Sequence, residues 1–115
     1  MHDEGVEAVF WHTYFKAQAT DERVLLTSQE HAFARVVAAL GRLCAGVETV
    51  EAGRSAHGDW PKQRPTHRIE ARLRELAPGS VRVTVFAHPI RLGLFPAERC
   101  RRCVRQFVRT LIYDD

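Results

Sequence analysis

The sequence predicts an α+β fold: a two-layer sandwich in which a mainly antiparallel sheet carries two helices on one face, in the order ββαβββα. Three observations predict it. Apolar residues recur at the spacing of one helix face in two places, from Phe33 to Cys44 and from Cys100 to Ile112. Residues 66–76 and 81–88 alternate apolar and polar on either side of Pro78-Gly79, the pattern of a hairpin. The length of 115 residues suits a single domain covering 1–115, large enough to bury roughly two-thirds of its unfolded surface.

The elements follow in order. Ala8–Ala17 (AVFWHTYFKA) is dense in strand formers. As a strand it puts Val9, Trp11, Thr13 and Phe15 on one face and Phe10, His12, Tyr14 and Lys16 on the other. A helix competes, since Val6, Val9, Phe10, Thr13 and Ala17 also fit a 3.6 period. The strand is the reading carried forward. QATDE supplies turn residues, and Arg23–Thr27 continues as a short strand. Thr27 and Glu30 form a T-x-x-E capping box ahead of the first helix, and Gly46 stands where a left-handed C-terminal cap belongs.

Val47–Ala52 alternates and reads as a strand. Gly53–Pro65 (GRSAHGDWPKQRP) holds two Gly, two Pro and almost nothing apolar except Trp60, so it reads as a long solvated loop. In the hairpin, Ile69, Ala71 and Leu73 must face odd-numbered residues of the second strand. Leu76 breaks the alternation, which predicts a bulge beside the turn. His88–Pro96 is too apolar for a plain connection, and Pro96 opens the last helix.

Charge is uneven along the chain. The net charge is +3, yet residues 1–52 hold four basic and eight acidic groups while residues 53–115 hold thirteen and six. Such asymmetry points to charged partners, either a second copy of the chain or nucleic acid, unless the halves interleave in the fold and cancel. No apolar run reaches the roughly 18 residues of a membrane span. The acidic N-terminus MHDEGVEAVF lacks the positive start of an export signal, so a cytoplasmic protein is expected.

Candidate chemistry is sparse. Cys100 and Cys103 form a C-x-x-C among arginines, the residue types of a thiol or metal protein. One such pair is half a zinc site, and both fall on the helix's apolar stripe, where free Cys packs as a small hydrophobe. His57, Asp59 and His67 flank the expected loop and would have to meet in space to act as ligands or as acid and base. No phosphate loop, dinucleotide fingerprint or nucleophile elbow occurs, so no catalytic group and no cofactor is assigned.

Two surfaces remain. Arg68, Arg72, Arg74 and Arg82 around Phe86 form a basic sheet face with one aromatic, the elements of single-strand nucleic-acid binding. The competing reading is a solvated face with Glu70 and Glu75 as counter-charges. Ile90, Leu92, Leu94 and Phe95, joined by Trp60, Trp11 and Phe15, form the protein-contact candidate. Its competitor is simple burial at the edge of the core.

Arg23–Leu43, then RIEARLRELAPGSVRVTV, then Gly-Leu-Phe before the last helix resemble small bacterial α/β domains of unknown function, often lipoproteins. The resemblance spans Arg23 to Tyr113 and implies a fold and no activity; this chain lacks their export signal and lipidated Cys. The expected function is a non-catalytic interaction module, acting as a homodimer or in a larger complex.

Overall fold

The strand of residues 81–88 shows how the sheet is built. Val81, Val83, Val85 and Ala87 are wholly buried, while Arg82, Thr84, Phe86 and His88 between them are half-buried on the opposite face. The computed structural model describes residues 18–113. They form β1 (Ala19–Leu25), α1 (Gln29–Leu43), β2 (Ala45–Glu51), β3 (Ser55–Trp60), β4 (His67–Ala77), β5 (Ser80–Pro89) and α2 (Pro96–Tyr113). The strands make one antiparallel sheet in the order β1-β5-β4-β3-β2. Both helices cover one face, α1 toward β3 and β4 and α2 toward β5 and β1. The α+β sandwich is therefore the fold. The expected strand at 8–17, with Trp11 and Phe15, lies outside the described residues.

The hairpin follows its sequence closely. Ile69 pairs with Ala87, Ala71 with Val85 and Leu73 with Val83. Gly79 turns the chain at φ 83°, the left-handed position of a type II turn. Pairing slips between Glu75 and Ala77, which is the bulge at Leu76.

Three local expectations are corrected. Ser28, not Thr27, caps α1: its Oγ accepts the His31 N–H at 3.1 Å. Turning Ala32, Val36, Ala39 and Leu40 onto the sheet starts the helix one residue later than the capping box suggests. Gly46 is left-handed, at φ 60°, but within β2; α1 ends with Cys44 as its cap, whose N–H reaches the Leu40 carbonyl at 2.8 Å. TDE is strand and not turn, because Thr20, Asp21 and Glu22 pair with Phe86, Val85 and Thr84 at an edge that leaves polar side chains in solvent.

The largest correction concerns 53–65. Residues Ser55–Trp60 are β3, an interior strand paired to both β2 and β4. Its inward positions are Ala56, Gly58 and Trp60, two of them too small to register as hydrophobic pattern. Gly58 is required by contact: a Cβ there would stand 2.6 Å from the Cys44 Cβ. The core joins Phe107, Leu111, Leu40, Ile69 and the β5 valines, and Cys44, Cys100 and Cys103 are buried within it.

Candidate protein-interaction surfaces

The segment between β5 and α2 leaves the core abruptly. Ile90 is half-buried and its N–H is held by the Thr66 carbonyl at 2.9 Å. Beyond it Leu92, Leu94 and Phe95 are 58%, 77% and 70% exposed. Phe95 has φ 55°, a left-handed conformation that costs a bulky residue about 1–3 kcal/mol. Its carbonyl accepts the Arg99 N–H at 3.0 Å, the first bond of α2. The strained residue thus both launches the helix and turns its ring to solvent. Leu94 and Phe95 line a shallow hollow of about 450 Å³ with Glu98, Arg99 and Arg102.

Trp60 does not join this surface. It is 7% exposed, in the core, and its indole N–H donates to Gln106 Oε1 at 2.8 Å. Its place in β3 points it inward against α2, which a loop reading of 53–65 hides.

α2 presents a second feature. Its apolar stripe is buried through Cys100, Cys103, Val104, Phe107, Val108 and Leu111, and Arg101, Arg102, Arg105 and Arg109 stand outside it, exposed. None of these four has an ion-pair partner among the described residues. Like charges at i,i+4 each cost a helix about 0.2–0.5 kcal/mol, and Arg101–Arg105 and Arg105–Arg109 are two such pairs. Between this row and β1 lies a groove of about 410 Å³ with Val104, Val108 and Ile112 as its floor. The Arg spacing is legible in the sequence, but the groove is not, since the β1 wall comes from residues that read as a turn.

The outer sheet face is a mixed-charge surface. Arg68 Nε donates to Asp59 at 2.9 Å, a bond that holds the guanidinium protonated. Arg72 pairs with Glu70 at 3.0 Å and lies over the Phe86 ring, 5.1 Å from its centre. His57 stands 3.7 Å from Glu48. Of the Arg68, Arg72, Arg74, Arg82 and Phe86 set, two arginines are engaged and the ring is covered by one of them. Arg74 and Arg82 sit directly opposite each other across the β4–β5 pair.

His57, Asp59 and His67 do not converge. Alternation sends His57 and Asp59 outward and His67 into the core beside Trp60, at 6.0 Å between ring centres. No group of metal-binding side chains occurs among the described residues. Burial pushes the thiols of Cys44 and Cys100 up to about 12 and about 11, and Cys103 higher still. At neutral pH they are protonated core groups and not nucleophiles. No helix of the described residues is long and apolar enough to cross a membrane.

No family model and no curated protein matches the chain. Among solved structures it is similar to protein CV1439 from Chromobacterium violaceum, at 16% identity over 83% of this chain and 94% of that one, with a TM-score of 0.42.

Proposed function

We propose that the chain is a non-catalytic protein-interaction module that works as a symmetric homodimer, or within a larger complex. One observation carries the reading: Leu92, Leu94 and Phe95 stand in solvent, the last of them on a left-handed backbone that costs energy to hold. A contiguous apolar patch next to charged side chains is what contact surfaces present. Trp11 and Phe15 belong to the same proposal from outside the described residues. Cys44, Cys100 and Cys103 form no disulfide, which suits a reducing compartment, so the proposal places the module in the cytoplasm.

Sedimentation at tens of micromolar tests it. A stable dimer should bury on the order of 1,200–2,000 Å². Leu94→Asp should then yield a folded monomer. A wild-type chain that sediments as a monomer leaves only an unlike partner for this surface.

A second reading, single-stranded nucleic-acid binding, keeps one supporting observation: Arg74 and Arg82 face each other with no ion pair to either among the described residues. Oligonucleotide affinity that falls steeply with salt and is lost in Arg74→Glu would favour it.

A further inference from the structure

We infer that the groove between β1 and α2 is a docking site for an extended, acidic and apolar segment of a partner protein, which adds to the sheet beside β1. The inference is independent of the Leu92–Phe95 surface.

The two sheet edges differ. β1 pairs with β5 in unbroken register over seven residues, Ala19 to Leu25. Among the described residues no strand pairs with its outward N–H and C=O groups. β2 at the opposite edge is interrupted by two register shifts. Regular edges accept an added strand and bulged edges resist one.

The groove then selects the chemistry of that strand. Its floor of Val104, Val108 and Ile112 takes the methylene stems of the acidic side chains that face α2, while the alternate, apolar residues turn to the outer sheet face beside Val24. Its rim of Arg101, Arg105 and Arg109 calls for carboxylates, and Asp21, the one acid that lines it among the described residues, is engaged by Arg23 at 3.1 Å. The spacings agree as well. Arginines at i, i+4 and i+8 recur every 6 Å or so along a helix, and alternate residues of a strand recur every ~6.7 Å. A strand can therefore meet all three guanidiniums in succession. Phosphate chains fit less well: the floor is aliphatic, and they have no backbone amides with which to add to the sheet beside β1.

Fluorescence anisotropy with the full chain and a labelled peptide of five Glu-Val repeats tests this. The peptide should bind saturably and weaken about tenfold or more between roughly 50 and 500 mM salt. Arg105→Glu combined with Arg109→Glu should weaken it by about tenfold, since exposed pairs contribute up to about a factor of five each. The same variant should melt no lower than wild type. A Lys-Val peptide, and a Glu-Val peptide N-methylated at alternate bonds, should fail to bind. Leu94→Asp should bind as wild type does, which separates this site from the dimer surface. The inference is overturned if the double variant binds equally, if the methylated peptide binds equally, or if oligo-dT binds more tightly than the peptide and displaces it.

Discussion

The two helices lie side by side on one sheet and are built by opposite rules. α1 is locally consistent: Ser28 caps it, Glu30 stands in its first turn and Arg42 in its last, matching the helix dipole. α2 breaks those rules. It follows a left-handed Phe95, carries no basic residue in its last turn and crowds like-charged arginines along its middle. α2 nevertheless buries more, including Phe107 and Leu111. Local rules are kept where α2 faces the core and broken where it faces solvent, which is the ground on which the contact surfaces proposed above lie on and around α2.

The sharpest separation between the helices should come from their cores. Phe107→Ala should cost about 3–5 kcal/mol in denaturant unfolding, and Leu40→Ala in α1 about 2–5. If the α2 change were the milder, α2 would not be the helix that anchors the fold. Phe95→Gly should act in the opposite direction. Releasing the left-handed strain should raise stability by about 1 kcal/mol while removing self-association. A fall in stability would show instead that the ring packs against its own chain.

At α1 the expected effect is smaller and negative. Ser28→Ala should lower stability by about 1 kcal/mol, and Thr27→Ala by less. Equal losses would return the cap to the position that the T-x-x-E pattern suggests.

The pH dependence has two limbs. His67 is buried beside α2, and burial pushes its imidazole below the usual 6.5, with Arg99 and His88 adding to the effect. The unfolded chain then holds the proton more tightly, so stability is full above about pH 6.5 and falls as the medium is acidified. His67→Gln should flatten that limb in a melting series from pH 7.5 to about 5. The thiols act in reverse. Cys44 and Cys100 keep their protons to about 12 and about 11 when folded, against 9.0 ordinarily. Their contribution is complete below pH 9 and is lost as the pH climbs through 11 to 12. Cys100→Ala should reduce this alkaline loss, and an unchanged curve would remove the thiol as its cause.

What the sequence alone determined is what depends on near neighbours in the chain. Alternation in 66–76 and 81–88, Pro78-Gly79 between them and the break at Leu76 were sufficient for the hairpin, its register and its bulge. Period 3.6 did the same for both helices and for the burial of Cys100, Cys103 and Phe107. The apolar run at 90–95 left burial and exposure open, and the fold set Leu92, Leu94 and Phe95 in solvent. Tertiary structure decided the rest. β3 is a strand because β2 and β4 supply its hydrogen bonds on both sides, and its inward Gly58 is a glycine because Cys44 and Val47 leave no space for a side chain. The same pairing turned Trp60 into the core and sent His57 and Asp59 to one face and His67 to the other. TDE became the wall of a groove only because β5 was there to pair with it. A strand's hydrogen bonds come from residues far away in sequence, whereas a helix's come from four residues back, so a polar strand leaves little local trace and an amphipathic helix leaves a clear one.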